Sequence, residues 1–562
     1  MPTASTITIL ETIQLLEGKF SGFADGFSKG MYALWLGSAI SRERVVGLDG
    51  VLSKLLEQLR QRVTNYSTCP HYKALVHIIG HAGLTPEQRA ELNFTEEATK
   101  WSHLKLIVDN LWDKYSRVLG TEVEGQEKLD YLLWEVLDFK NTFSSQEADA
   151  EHLAIGMLVL EGVVNELATS NWDALLEAAM DQLGQAGSYY TVAVKGNDLK
   201  GPVGMAKLYK FHGCARRAIE EGEDYRSLIV VREAAINQWN QNPAFDQMRV
   251  QLDALLRRAH TLMVGMSAQD PNIQALFGNK GWKWNDVPTP IVFAAEELGE
   301  GQKIVLEGAY PGDYEGNRVE IWDQARLPAF SKPLFLALAL FIVARKVELL
   351  ARKLTSGGVN DLAKAELGEG IRTLRDMAAA FGEADRFELA KTMAGTIGRL
   401  AEQFFGGKSD PGVRPYVPIH SRAENLMEVD PLLAHTGQAH VAASLGAIGL
   451  EVKDAKWVVK VDDPTAATSG ALRIVGAASA RVFFASSDDR INGLMQAGAF
   501  DPKDKDVVVV CSGSVAERTQ RSPRAAMRDG IPEHRYIGMA DILKDSASLA
   551  DFRQRFVGEV GV

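Results

Sequence analysis

Met31-Tyr-Ala-Leu-Trp-Leu36 is a short apolar run, and it passes directly into the small residues Gly37-Ser-Ala-Ile-Ser41. Beyond Arg42-Glu-Arg-Val-Val-Gly-Leu-Asp-Gly50 comes Val51-Leu-Ser-Lys-Leu-Leu-Glu-Gln-Leu59, whose apolar spacing predicts a helix with Asp49 as its cap. The order is strand, small-residue turn, helix. Such a turn lets backbone N–H groups approach a pyrophosphate, and the start of the helix favours an anion. The same residues also suit a tight strand–helix connection without a ligand.

Residues 60–150 are predicted to be helical. Thr85-Pro86-Glu87-Gln88 is a capping-box start with Pro at the first helical position. Leu104, Ile107, Val108, Leu111, Tyr115, Val118 and Leu119 then recur at the helical period, as expected of an inserted helical layer. From 160 to 280 strand and helix signals alternate again. Val163 to Asp173 reads as a strand running into a turn, and Ala174 to Met180 as a helix. Lys207 to Gly213, Ser227 to Val231 and Thr261 to Ser267 read as further strands, the last followed by a helical Asp270 to Phe277.

This alternation predicts an α/β class: a Rossmann-like parallel sheet covered on both faces, with a helical insertion at about 60–150. Ligands in such sheets sit beyond the carboxyl ends of the strands. Gly37–Ser41, Asn171, His212 and Ser267 each lie just past a predicted strand, so one crevice can collect them. Taken singly, Asn171-Trp-Asp173 also reads as an Asx-type turn, His212 as a structural histidine, and Gly265-Met-Ser267 with Asp270 as a turn and a helix cap.

The rest of the chain divides into a connecting, mainly helical region at 286–420 and a smaller C-terminal α/β region at 421–562. Residues 286–330 hold short strand-like pieces, 333–405 are strongly helical, and Lys408 to Ser421 is a polar, Pro-containing linker or extended connection. The apolar run Leu334–Val343 fits a buried helix or an oligomer seam. Trp457–Val461, Arg481–Ala485, Asp506–Cys511 and Arg535–Met539 are the strand candidates of the last region. There, Ser512-Gly513-Ser514 with Arg518, Arg521, Arg524 and Arg528 fits either a site for a phosphate-bearing signal or a solvated basic helix.

Composition narrows the function classes. The 562 residues carry 61 Lys+Arg against 73 Asp+Glu, a net charge of −12, which argues against direct nucleic-acid binding. No basic segment followed by an apolar one opens the chain, so a secretory signal is not expected. Pro333–Ala344 falls short of the roughly 20 residues of a membrane span, so no membrane association is expected. Cys69, Cys214 and Cys511 are far apart with no CxxC, which excludes a disulfide framework and a four-cysteine zinc ribbon. A cytoplasmic location follows as the default.

Four stretches, in order, resemble the sirtuin-like NAD-binding domain over about residues 25–280. Leu36-Gly-Ser-Ala-Ile-Ser41 is similar to its Gly-Ala-Gly-Ile-Ser dinucleotide loop. Thr169-Ser-Asn-Trp-Asp-Ala-Leu-Leu-Glu177 is similar to the Thr-Thr-Asn-Tyr-Asp-x-Leu-Leu-Glu motif of the bacterial branch. Leu208-Tyr-Lys-Phe-His-Gly213 is similar to the Lys-Leu-His-Gly strand end, and Val264-Gly-Met-Ser-Ala-Gln-Asp-Pro-Asn-Ile273 to the closing Gly-x-Ser-x-x-Asp-Pro-x-Ile motif.

The departures count too. Ala39 replaces the family's third loop glycine, and its methyl can crowd a pyrophosphate. Arg42-Glu-Arg-Val-Val-Gly stands where protein deacylases carry Gly-Ile-Pro-x-Phe-Arg, and their zinc ribbon cannot be built here. These features resemble the sirtuin-like effectors of bacterial anti-phage systems, which destroy NAD.

The resemblance implies NAD as substrate, no zinc, and hydrolysis of the nicotinamide–ribose bond through an oxocarbenium-like transition state. It implies that Gly37, Ser38, Ala39, Ile40, Ser41, Ser170, Gly265, Ser267 and Asp270 hold the dinucleotide, with Ser267 toward the adenosine half. Asn171 would orient the ribose and the water, Asp173 would position that turn or meet the nicotinamide side, and His212 would act as general base. Cys214 reads as a small buried residue. An enzyme that drains NAD must be held in check, so a homo-oligomer, a gating partner subunit or a nucleotide-like signal at the C-terminal region is expected. A non-catalytic NAD- or ADP-ribose-binding subunit and a protein deacylase are the alternatives.

Overall fold

The computed structural model describes residues 3–143, 147–185, 189–200, 205–278, 280–354, 359–423, 426–513 and 534–562. Seven strands form one parallel sheet: β1 Tyr32–Leu36, β2 Glu166–Thr169, β3 Tyr190–Ala193, β4 Ala206–Lys210, β5 His260–Val264, β6 Ile291–Ala294 and β7 Arg326–Leu327. Their order is β3-β4-β2-β1-β5-β6-β7. The chain moves from β1 toward β2 on one side and returns to β5 on the other. The carboxyl ends of the paired strands β1 and β5 are therefore the topological switch point, where sheets of this kind bind ligands.

The alternation of side chains along β1 builds two cores. Ala33 and Trp35 pack with the helical insertion and with Tyr209, Phe211 and Phe277. Tyr32, Leu34 and Leu36 face the other way, into Ile9, Ile13, Leu158 and the helix that carries Leu334–Ile342. A strand buried on both faces must be apolar at every position, which is why β1 reads as a continuous run.

The predicted strand–turn–helix unit is present, with differences at its edges. The first helix is Leu48–Gln61, with Gly47 at its N-cap, so Asp49 lies inside the first turn, not at the cap. Residues 104–119 form two short helices, Leu104–Leu111 and Tyr115–Leu119, joined by a 3-10 turn, in place of one continuous helix. Ser227–Val231 is not a strand. It is a loop after the short helix Glu223–Arg226, and its apolar side chains point into the insertion core while the Val230 N–H donates to His212 O at 2.9 Å. Apolar residues under a loop and in a strand look alike in sequence.

The sheet also runs past residue 285. β6 and β7, with the helices Glu300–Ala309 and Tyr314–Ala325, extend it from within the region read as connecting and mainly helical. The helix Ser331–Arg352 then packs against Ile9–Glu17, Ala150–Leu160, Asp361–Gly382 and Gln438–Lys453. Its Leu334–Ile342 stretch is buried inside the chain itself. Among the described residues no helix is long and apolar enough to cross a membrane.

The stretch from Lys408 to Ser421 has no regular structure, yet it is fastened. The Tyr416 hydroxyl donates to Glu161 Oε1 at 2.6 Å, and Lys346 Nζ donates to Glu161 Oε2 at 2.8 Å and to His420 O at 2.5 Å. A second sheet follows, in the order β12-β11-β10-β9-β8. Its strands are β8 Val458–Lys460, β9 Leu472–Val475, β10 Ser479–Ala485, β11 Val507–Cys511 and β12 Arg535–Gly538. β10, β11 and β12 are parallel, whereas β8, β9 and β10 pair antiparallel. Ser514, Arg518, Arg521, Arg524 and Arg528 lie outside the described residues.

Candidate functional site

Four turns meet at the carboxyl ends of β1, β2, β4 and β5, and hydrogen bonds tie them together. The Gly37 N–H donates to Val264 O at 2.9 Å and the Ala39 N–H to Gly265 O at 3.2 Å, so the first turn lies directly on the fourth. A Cβ on Gly37 would collide with the Gly265 carbonyl, so only glycine fits there. Gly265 itself has φ of 69°, and a Cβ on it would come within 3.2 Å of the Ala39 methyl. The Ala39 methyl is therefore accommodated by a bare neighbour across the switch point.

The second turn joins the first through side chains. Asn171 Nδ2 donates to Gly37 O at 3.1 Å and to Ser41 Oγ at 3.3 Å. Ser41 Oγ donates in turn to Asp173 Oδ2 at 2.9 Å, while Asp173 Oδ1 accepts from the Leu175 N–H at 3.2 Å. Thr169 Oγ1 donates to Leu36 O at 2.8 Å and accepts from the Asn171 N–H at 3.0 Å, which fixes the level at which Asn171 leaves the sheet.

The third turn arrives in register with the second. Thr169 pairs with Lys210, so Asn171 and His212 each stand two residues beyond the same rung of the ladder. Gly213, with φ of 104°, turns the chain immediately after His212. The His212 ring packs edge-on against Phe211 and Trp239, and its Nε2 lies 3.3 Å from Asp270 Oδ2 in the fourth turn. That contact is an ion pair only when the ring is protonated, and it is not aligned as a hydrogen bond. Burial pushes the imidazole pKa down to about 4, against the opposing pull of Asp270. Asp270 Oδ1 caps the helix Pro271–Phe277 by accepting from the Asn272 N–H at 2.8 Å, and this holds its other oxygen toward His212.

The turns thus close into a ring: the first contacts the second and fourth, the fourth contacts the third, and the Ala215 N–H, just past the third turn, donates to Trp172 O in the second at 2.8 Å. At the second and third turns, Asn171 Oδ1, Trp172 Nε1 and His212 Nε2 are buried without a hydrogen-bond partner. A buried polar atom without a partner costs about 1–3 kcal/mol, so a group on a bound molecule that met these atoms would be favoured.

The expected site residues divide by accessibility. Ser38 and Ser267 are exposed on opposite turns, while Ala39, Ser170, Gly265, Asp173 and Asp270 are half-buried. Ser41 is buried, its hydroxyl engaged with Asn171 and Asp173, and Ile40 packs into the core. These two shape the turn from beneath. Cys214 is buried under the third turn as a free thiol. Among the described residues no group of three or more His, Cys, Asp or Glu could hold a metal ion.

Three supports carry no individual role in the sequence reading. Lys210 Nζ donates to Glu177 Oε1 at 2.7 Å and to the Asp173 carbonyl, which ties the second turn to β4 from below. Burial works against this ammonium, but Cys214, Glu177 and Asp173 outweigh it and raise its pKa. Gln302 Nε2 donates to Met266 O at 2.9 Å and braces the fourth turn from a helix beyond β6. Its only signal in sequence is a polar residue in a helical first turn, indistinguishable from an ordinary cap.

A comparison with curated proteins finds no match to the chain. Residues 165–292, which run from the start of β2 into β6 and hold Asn171, Asp173, His212, Gly265, Ser267 and Asp270, match the family model of the SIR2-like domain, so this part of the sheet is similar to a sirtuin-like domain.

Proposed function

We propose that the chain is an NAD glycohydrolase that splits NAD into nicotinamide and ADP-ribose. The observation that carries this reading is the ring of four turns, which leaves a carboxamide oxygen and an imidazole unpartnered at neighbouring strand ends. In the proposed reaction the C–N bond between ribose and nicotinamide breaks, and its electron pair neutralises the pyridinium nitrogen. Water oxygen bonds to the anomeric carbon as the oxocarbenium character is lost. Asn171 orients that water and the ribose. His212 is neutral at pH 7, because burial holds its pKa near 4, and so can accept the water's proton. Ser38 would meet the phosphates and Ser267 the adenosine half; both are exposed, on the first and fourth turns.

As part of the same proposal, the enzyme works in the cytoplasm as an anti-phage effector that depletes NAD on infection. A homo-oligomer, a partner subunit or a signal sensed by the C-terminal region restrains it. The test is NAD consumption by the purified chain, alone and with the products of its neighbouring genes, followed by separation of nicotinamide and ADP-ribose. His212→Ala and Asn171→Ala are each expected to lower turnover by about 10²–10⁴. NAD that persists in every combination, or turnover unchanged in both variants, overturns the reading.

One observation favours a second reading, a non-catalytic NAD- or ADP-ribose-binding subunit. The Ala39 N–H and the Ser41 hydroxyl, both donors in the first turn, are already engaged inside the protein. Saturable binding of ADP-ribose with no release of nicotinamide under any condition is the result that selects it.

A further inference from the structure

A cavity of about 410 Å³ lies well away from the four turns, between the N-terminal helices and the long helices that follow the sheet. Its size is that of a small-molecule pocket. Arg345 and Arg352 reach it from the helix Ser331–Arg352, two turns apart on one face, and Arg372 and Arg375 reach it from the helix Asp361–Gly382. Four guanidinium groups on one cavity are unexpected in a chain with a net charge of −12.

The carboxylates nearby do not match them one for one. Glu348 serves both Arg372, at 2.6 Å, and Arg352, at 3.8 Å. Asp25 serves both Arg345 and Lys29, each at 2.6 Å. Arg375 alone has two partners, Glu17 at 2.6 Å and Asp376 at 2.7 Å. Five cations therefore share four carboxylates. Burial also raises the Glu348 pKa, against the pull of Arg372, Arg352 and Arg375. Leu16, Phe341 and Leu349 line the cavity's apolar part.

We infer that this cavity is a binding site for a small phosphate-bearing ligand, its phosphates gripped by Arg345, Arg352 and Arg372 and any attached apolar group laid on Phe341 and Leu349. Planar guanidinium forks suit phosphate oxygens, and a phosphate would supply the charge that the shared carboxylates lack. This inference does not depend on what the four turns do. It also differs from the basic stretch at Arg518–Arg528, which falls between β11 and β12 in the sequence and outside the described residues.

The test is calorimetric titration of the full chain with inorganic tripolyphosphate and, separately, with ADP. Saturable binding of both probes at similar strength assigns recognition to phosphate alone, and tighter binding of ADP adds the apolar wall. Arg352→Gln changes a side chain that is 57% exposed and is expected to fold normally. It should weaken tripolyphosphate binding about tenfold, as should Arg345→Gln. A melting curve identical to that of the parent chain establishes that each variant is folded. No saturable binding of either probe overturns the inference, as does binding that survives both arginine substitutions in folded protein. Binding abolished by Asn171→Ala but not by Arg352→Gln assigns the ligand to the four turns and overturns it equally.

Discussion

The chain contains two sheets with parallel strands, and they finish those strands differently. In the first, four turns bring amide, carboxylate, hydroxyl and imidazole groups together and leave three buried polar atoms unpartnered. In the second, the described turn after β11 closes on the turn after β10. The Ser512 N–H donates to Ala485 O at 3.0 Å and Ser512 Oγ to Ser486 O at 2.7 Å, and Gly437 packs directly on the Ser512 side chain. Parallel topology provides a place where turns can gather. Chemistry needs, in addition, polar groups that those turns do not use up among themselves. The support beneath differs as well. The first sheet buries a charged pair, Lys210–Glu177, whose side chains are 1% and 3% exposed, whereas Asp506 in the second sheet's Arg481–Asp506 pair is 45% exposed.

That contrast can be tested most sharply at Lys210. Lys210→Met leaves Glu177 as an uncompensated buried charge and is expected to cost about 3–5 kcal/mol in urea unfolding. Adding Glu177→Gln to it should restore a substantial part of that loss. A loss below about 1 kcal/mol would show that the pair does not support the second turn.

Next in size is Gly37→Ala, whose methyl would strike the Gly265 carbonyl and push the first turn off the fourth. The expected cost is about 1–3 kcal/mol in urea unfolding. Gly513→Ala, in the second sheet's turn, meets only Cys511 Sγ, at 3.8 Å, among the described residues and should be close to neutral. Equal effects at the two glycines would erase the distinction between the turns.

The acid limb gives a smaller, graded effect. His212 and His152 are both held near pKa 4 by burial, below the ordinary histidine value. Between about pH 6.5 and 4 the unfolded chain binds protons at these sites that the folded chain refuses. Their joint contribution therefore lowers stability as pH falls through that window and is constant below it. His212→Asn should flatten the slope of unfolding free energy against pH across this range and leave the neutral limb in place. An unchanged slope would mean that His212 is open to water.

Arg481→Ala should give the smallest change, about 1 kcal/mol or less, because its partner is half in water. Its loss should also shrink with added salt. A loss as large as that of Lys210→Met would place the second sheet on the same footing as the first.

Much of this was legible in the residue order because local rules carried it. β1, β2, β4 and β5 and the turns after them follow from apolar runs punctuated by small or polar residues, and four ordered motifs pointed to a sirtuin-like domain. β3 and β9 gave no such signal, since Tyr190–Ala193 is only partly covered and Leu472–Val475 alternates buried and half-buried positions. Ser227–Val231 misled for the opposite reason: its burial comes from the insertion core packed over a loop. Among the site residues, Asn171, Asp173, His212 and Asp270 could be named from sequence. The role of Ser41 could not, because a hydroxyl that ties Asn171 to Asp173 looks like any exposed loop serine until the distances are known.

By itself, then, the order of amino acids determined the α/β class, the apolar strands at the centre of the first sheet and the residue types at their ends. These depend on neighbours within a few positions, through periodicity and turn chemistry. Only the tertiary structure decided which side chains meet: His212 with Asp270, Ser41 with Asp173, Lys210 with Glu177, and four arginines from two helices around one cavity. Such pairings join segments tens to hundreds of residues apart. They form where packing of the two cores brings surfaces together, and no local pattern in the chain encodes that distance.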